Sequence, residues 1–321
     1  MNSIVIPLYN EAESLPRLYA ELAAMFPTPS ASAEPDAIEF VFIDDGSRDG
    51  SWSVIKKLAD RDPRVRAIRF RRNFGKAAAL TAGFEAARGE IVFTLDADLQ
   101  DDPAEIPRFL LKLDEGLDVV SGWKKRRYDP WHKVYPSRIF NWMVSSLTGC
   151  KLHDHNCGFK AYRAVVLREV GIYGELHRFV PVLAQAKGFR VGEIEVNHRA
   201  REHGTSKYGI SRFIKGFLDL LTVRFLTRFS QRPLHVLGSV GLILFLIGGA
   251  GMLFLAVQWL RGERPIGNRP LLDYSAASLV VGTQLVCLGI LAELITSYNI
   301  RAEDTYSVAE SVGVDDDRKT T

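Results

Sequence analysis

Cysteine is scarce in this chain. Three thiols among 321 residues, Cys150, Cys157 and Cys287, cannot build a disulfide framework and fit a reducing compartment. Excess charge is missing too. A formal net charge of +3 argues against a nucleic-acid binder that draws its affinity from bulk positive charge, so no nucleic acid is expected as a partner. No G-x-G-x-x-G follows the first apolar run and there is no G-x-x-x-x-G-K-[ST], which removes the dinucleotide fingerprint and the P-loop. Nothing at the start reads as a signal peptide, because residues 1–6 run straight into a strand-like segment. With 47% hydrophobic and 25% charged residues, disordered and collagen-like classes are excluded as well.

The apolar residues are unevenly spread. Pro233–Leu260 holds no Asp, Glu, Lys or Arg, and as a helix it exceeds the ~30 Å hydrocarbon core of a bilayer. Residues 274–292 also lack all four and are just long enough to span. The connector RGERPIGNRP is a polar turn, so the pair reads as a transmembrane hairpin with both of its flanks on one side. Arg212, Lys215, Arg224, Arg228 and Arg232 precede the first span, against Arg261, Arg264 and Arg269 in the connector. The positive-inside rule then favours the large N-terminal domain on the cytoplasmic face of the membrane. Ahead of the first span, Phe213, Ile214, Phe217, Leu218, Leu221 and Phe225 recur at helical spacing among basic residues. That pattern fits an amphipathic helix in the headgroup layer, with packing on the soluble domain as the alternative. The expected division is 1–210 a soluble domain, 211–232 interfacial, 233–295 hairpin and 296–321 a polar tail without fixed structure.

Residues 1 to about 200 alternate strand-like and helix-like patterns. Strands are expected at 3–9, Ile38–Asp44, 65–70, 91–98 and 118–123. Helices are expected at 11–25 behind an Asn10 cap, at 76–88 closed by Gly89, and from Pro103 onward. This order implies an α/β fold with a mostly parallel central sheet and helices on both faces, whose ligands bind beyond the carboxyl ends of the strands.

Two acidic clusters fall on that edge, Asp44-Asp45-Gly46-Ser47 and Asp96-Ala97-Asp98-Leu99-Gln100. Alternate residues of an extended segment point the same way, so Asp96 and Asp98 could straddle one ligand. Converging carboxylates repel unless a cation or a donor lies between them, and oxygen-only ligands suit Mg²⁺ or Mn²⁺. Capping of the next helix is the plainer role, for which Asp101 and Asp102 are better placed. His153, His155 and Cys157 alternate but lack the second ligand pair of a structural zinc site. The run Lys124–Arg127 could be no more than a solvated charge cluster.

Together the segments IPLYNE, DDGSRDG, RNFGKAAALTAGFEAARGE, LDADLQDDP, HNCGFKAYR and REHGTSKYG resemble a GT-A glycosyltransferase of family 2. The resemblance is nearest to the polyprenyl-phosphate sugar transferases of the dolichyl-phosphate mannose synthase type. It extends over nearly the whole chain, including the hairpin with Gln284 and Glu293. It implies a GT-A nucleotide-sugar-binding domain, interfacial amphipathic helices and two C-terminal transmembrane helices. The implied reaction is inverting transfer of one hexose from a UDP-glucose or GDP-mannose type donor to undecaprenyl or dolichyl phosphate, with Mg²⁺ or Mn²⁺ as cofactor.

By the same resemblance, Pro7, Tyr9, Glu11, Asp44, Asp45, Lys76 and Asp96 would bind the nucleotide sugar. Asp98 and Gln100 would hold the metal, and Asp154 would stand with Asp98 at the reacting centre. Arg126, Arg127, Lys133, Ser137, Arg138, Arg201, Ser206 and Lys207 would meet acceptor or donor phosphate. The partners implied are a nucleotide-diphosphate sugar, a polyprenyl-phosphate lipid and the membrane, and a homo-oligomer is left open. A phosphate acceptor is already anionic near neutrality, with a second pKa near ~6, so Asp154 reads as an orienting group rather than a strong base. Two other functions compete. A processive polysaccharide synthase would share the core but carry a Q-x-x-R-W segment and more spans, and an inactive membrane-anchored scaffold would not need intact acidic motifs.

Overall fold

The computed structural model describes residues 1–27, 38–125, 131–170, 176–199, 210–228, 233–263 and 265–299. Its apolar runs become strands β1 (Asn2–Leu8), β2 (Ile38–Asp44), β3 (Val65–Arg69), β4 (Ile91–Thr94), β5 (Val119–Trp123), β6 (Lys160–Arg163) and β7 (Val191–Glu195). They are joined in the order β3-β2-β1-β4-β6-β5-β7. β6 runs antiparallel to both β4 and β5, and the other neighbouring pairs are parallel. Helices α1 (Leu15–Met25), α2 (Ser51–Ala59), α3 (Lys76–Ala86), α4 (Ile106–Asp114), α5 (Trp131–Thr148), α6 (Ala164–Glu169) and α7 (Val180–Ala186) accompany the sheet. The larger core holds Ile4, Ile6, Phe40, Phe42, Phe93 and Phe109, and a second cluster sets Val5, Val41 and Val92 against Ala79 and Leu80 of α3.

The chain winds outward from β1 in both directions, with β2 on one side and β4 on the other. Such a reversal of strand order opens a crevice at the carboxyl ends. β4 stops at Thr94, so beyond Val5 that flank of β1 has no partner strand. The Val5 carbonyl accepts from Leu95 N at 3.1 Å, and Pro7, two residues on, faces the same open flank. A residue without an N–H costs little there.

Three expectations need correction. Helix α1 begins at Leu15 rather than Glu11, and Asn10 does not cap it. Asn10 takes a left-handed φ of 59° and ties two loops together: its N–H donates to Ser47 Oγ at 2.8 Å and its Oδ1 accepts from Arg48 N at 2.9 Å. The fourth strand ends four residues early, so Asp96 and Asp98 lie on a loop. Pro103–Glu105 forms a 3₁₀ turn ahead of α4, in which Asp102 accepts from Ala104 N at 3.0 Å.

The described residues divide into two compact units, one up to Val223 and one from Arg224. Helix α8 (Ile210–Arg228) begins in the first unit. There it lies against α5, where a Cβ on Gly216 would sit 3.1 Å from the Phe140 ring. The second unit pairs α9 (Pro233–Leu260) with α10 (Pro270–Asn299), two helices long and apolar enough to cross a membrane. They touch backbone to backbone at Gly282, where a Cβ would come within 2.6 Å of Gly241 O. At the other polar contacts Ser278 Oγ donates to Leu244 O at 2.8 Å, and the Leu234 N–H donates to Glu293 Oε2 at 3.1 Å.

Candidate active site

At the crevice lies a cavity of ≈ 590 Å³, and strand ends and loop backbone shape it. β1 contributes Pro7, Leu8 and the following Tyr9 and Glu11, and the loop after β4 contributes Asp96, Ala97 and Asp98. Asn73, Gly75, Lys76 and Ala79 close it from the start of α3, and Asp45 stands between. Asn73, Gly75, Leu8, Ala79 and Ala97 were not singled out from sequence, although Asn73 and Gly75 sit inside the RNFGK segment.

Asp44 and Asp45 have different surroundings. Asp44 is fully buried; it accepts from Ser47 N at 2.8 Å and faces Arg69 Nε at 3.3 Å, away from the cavity lining. Asp45 lines the cavity and accepts from Phe74 N at 2.7 Å and Gly75 N at 3.0 Å, so it clamps the turn that delivers Lys76. Burial raises the Asp45 pKa above the usual carboxylate value, these two hydrogen bonds oppose the rise, and the neighbouring Asp44 charge adds to it.

Lys76, the first residue of α3, forms an ion pair with Asp96. Burial works against the Asp96 charge, but attraction to Lys76 and its hydrogen bond, helped by Lys124 and Lys160, holds its pKa at about 2. Asp96 is therefore ionised at neutral pH. Gly158 presses on it from behind: a Cβ there would come within 2.5 Å of Asp96 Oδ2. Asp98 accepts from Gln100 N at 3.2 Å, across Leu99, which takes a left-handed φ of 62°. That conformation is costly for a side chain as large as Leu and marks a locally strained loop.

Deeper in, Lys124 is 13% exposed and pairs with the buried Asp101 at 2.7 Å. It is not part of a solvated charge run. Burial lowers its pKa most, but the Asp101 charge, Cys157, the hydrogen bond to Asp101 and the Asp96 charge together outweigh this and leave it above the ordinary lysine value. Burial depresses the Lys160 pKa, and its ammonium is held by the carbonyls of His155, at 3.3 Å, and Cys157. His177 is pushed down to about 2 by burial and by Lys76, Arg178 and Lys160, so it is neutral. Cys157 is raised to about 12 by burial, which makes it an inert thiol.

Asp154 is buried at 1% exposure, accepts from Asn156 N at 3.1 Å, and does not line the cavity. Neither do Gln100, Ser137 or Arg138. Arg126, Arg127, Arg201, Ser206 and Lys207 lie outside the described residues, as does the side chain of Lys133. The segment leading to Arg201 is anchored to the acidic loop. Arg199 N donates to Gln100 O at 2.9 Å, and its guanidinium bridges Glu21 at 2.7 Å and Asp102 at 2.9 Å.

Among the described residues no group of three or more His, Cys, Asp or Glu is arranged to hold a metal. Of the cavity's lining, the loop after β4 supplies two carboxylates, Asp96 and Asp98. Mg²⁺ accepts such a sparse set when substrate phosphates and water complete its shell, so Asp98 and its neighbours fit a substrate-borne cation.

The profile of glycosyl transferase family 2 matches residues 3–171. Dodecaprenyl-phosphate galacturonate synthase of Rhizobium johnstonii is 38% identical over 315 residues, covering 96% of this chain and 92% of that protein. Undecaprenyl-phosphate 4-deoxy-4-formamido-L-arabinose transferase of Proteus mirabilis is 35% identical over 316 residues, covering 97% and 94%. Among solved structures, glucosyl-3-phosphoglycerate synthase of Mycobacterium tuberculosis, in complex with Mn²⁺, uridine diphosphate and phosphoglyceric acid, aligns with a TM-score of 0.53 at 16% identity. That alignment covers 71% of this chain and 78% of the other, and it establishes a shared fold.

Proposed function

The chain belongs to glycosyl transferase family 2, and we propose that it moves one sugar from a nucleotide-diphosphate donor to a polyprenyl phosphate, with inversion, at a membrane surface. One observation carries the reading. The cavity at the β1/β4 crevice gathers Asp45, the Lys76–Asp96 pair and Asp98 into a space fit for a nucleoside diphosphate. Near-full-length relatives named for polyprenyl-phosphate transfer supply the acceptor class.

Asp98, which lines the cavity, would hold Mg²⁺ or Mn²⁺, with Gln100 just beyond the lining as the further ligand the resemblance implies. Such a cation when bound offsets the charge that develops on the departing diphosphate. Pro7, Tyr9, Glu11 and Asp45 would enclose the nucleoside. Lys76 keeps Asp96 ionised and adds positive charge beside the donor. An acceptor phosphate oxygen attacks the anomeric carbon from the face opposite the leaving group. The new C–O bond forms as the C–O bond to the diphosphate breaks, and the electron pair leaves with the nucleoside diphosphate. The attacking oxygen is already anionic, so Asp154 orients rather than deprotonates. Two anions meet in this step, and Arg126, Arg127, Lys133, Arg138, Arg201 and Lys207 are the cations proposed to screen them, with Ser137 and Ser206 as hydroxyl donors to phosphate.

The relatives' names move the proposed donor away from plain glucose or mannose, toward a sugar bearing a carboxylate or formamido substituent. The pair α9 and α10 would anchor the protein, with the catalytic unit on the cytoplasmic face. The test is a donor panel: UDP-glucose, GDP-mannose, UDP-galacturonate and UDP-formamidoarabinose, each radiolabelled and incubated with the full-length protein and undecaprenyl phosphate. Label from one of the last two should enter the lipid phase. Label from UDP-glucose or GDP-mannose alone would overturn the donor assignment.

A further inference from the structure

Asp154 lies buried in a loop whose two flanks hang from one helix. On α5, Asn141 is 5% exposed, and its Nδ2 donates to His153 O at 2.9 Å while its Oδ1 accepts from Asn156 Nδ2 at 3.2 Å. One turn further on, Ser145 Oγ donates to Leu152 O at 2.9 Å and lies 3.1 Å from His155 Nε2. A hydroxyl has a single hydrogen, here spent on Leu152, so Ser145 must accept from a protonated Nε2. This fixes the His155 tautomer and leaves its buried Nδ1 as a bare lone pair, which accords with that atom having no hydrogen-bond partner. Burial, then the nearby Lys160 charge, hold the His155 pKa at about 4, so the ring stays neutral and the arrangement persists at working pH.

The four contacts therefore reach residues 152, 153, 155 and 156 and leave Asp154 in the middle. Its carboxylate direction follows from the loop, because Oδ1 accepts from Asn156 N and the Asp154 carbonyl accepts from Ser121 Oγ at 3.4 Å. The same helix carries Ser137 and Arg138, four and three residues before Asn141, hence on neighbouring positions of the helix surface, about 6 Å and about 4.5 Å from it along the axis.

We propose that Asn141 and Ser145 are positioning residues that set Asp154 in fixed register with the acceptor-side residues of α5, so that one helix gauges the distance between acceptor phosphate and reacting centre. This rests on the reading above that Asp154 serves that centre. Neither residue touches substrate; both act through the loop.

The experiment is a mutant cycle on the full-length protein, reading kcat and the donor KM separately. Asn141→Ala alone should lower kcat by up to about a hundredfold, the scale of a small misplacement at a reacting centre, with the donor KM within twofold of wild type. Combined with Asp154→Asn, it should add almost nothing to the loss from Asp154→Asn alone, because both act through one group. Ser145→Ala should behave in the same way and Ser145→Thr, which keeps the hydroxyl, should recover most of the activity; this pair carries the test if Asn141→Ala does not fold. Wild-type turnover of Asn141→Ala and Ser145→Ala, or losses that multiply with Asp154→Asn, would overturn the proposal. Wild-type turnover of Asp154→Asn by itself would instead overturn the role of Asp154 at the centre, so the two failures are distinguishable.

Discussion

Lys76 and Asp96 pair their charges inside the cavity, one at the first position of α3 and the other two residues past the end of β4. Two chain segments twenty residues apart thereby converge on the space assigned to the donor. Removing the cation in Lys76→Met should weaken nucleoside diphosphate binding about tenfold or more, the scale of a lost charge-assisted hydrogen bond. Titration calorimetry with the product nucleotide measures this, and unchanged affinity would contradict the donor assignment.

Gly158 acts on the same pair from the other side. Its missing Cβ leaves room for Asp96 Oδ2, which one added methyl would approach to within 2.5 Å. Gly158→Ala should therefore displace Asp96 from Lys76 and raise the donor KM, with the acceptor KM little changed. Equal effects on both substrates would place Gly158 outside this role.

Adjacent lysines at the end of β5 should differ sharply in stability. Lys124 is the partner of buried Asp101, and Lys124→Ala leaves that carboxylate buried and unpaired, at a cost of about 3–5 kcal/mol. Lys125 pairs with Glu195 at 3.0 Å where both side chains are about half exposed, and Lys125→Ala should cost under about 1 kcal/mol. Thermal melts of the two variants in detergent check the contrast; similar midpoints would refute it.

Acid should unfold the catalytic unit partly through Glu39. Burial raises its pKa, but hydrogen bonds from Ser3 Oγ and Arg88 N and the bonded charge of Arg66, each at 2.6 Å, bring it below the ordinary 4.5. A carboxyl with a depressed folded-state pKa adds stability that is complete above its unfolded value and is lost as pH falls through the folded one. Melting temperature should accordingly drop below pH 4.5, and Glu39→Gln should start lower and show a shallower drop. An identical slope in the variant would exclude Glu39 as a contributor.

Much of this architecture was legible because its signals were local. Strands β1, β2 and β4 are apolar runs with polar residues at or just past their carboxyl ends, which places the acidic loops on one rim from the sequence alone. β6 was not legible: KAYR is four residues long, and its antiparallel insertion between β4 and β5 is decided by pairing partners far away in sequence. The burial of Lys124 was hidden for a related reason, since a basic run shows no sign that its first member has a carboxylate waiting beneath the sheet edge. Asn10 carried the composition of a helix cap, yet a bond to Ser47 and one from Arg48, both more than thirty residues away, decided its role.

Mass spectrometry of the lipid product tests the central claim most directly. Full-length protein, Mg²⁺, nucleotide sugar and undecaprenyl phosphate should yield lipid heavier by one sugar residue, and product should vanish in Asp98→Ala or in EDTA. Free sugar released at the same rate without lipid, or polyprenyl species bearing several sugars, would contradict the account.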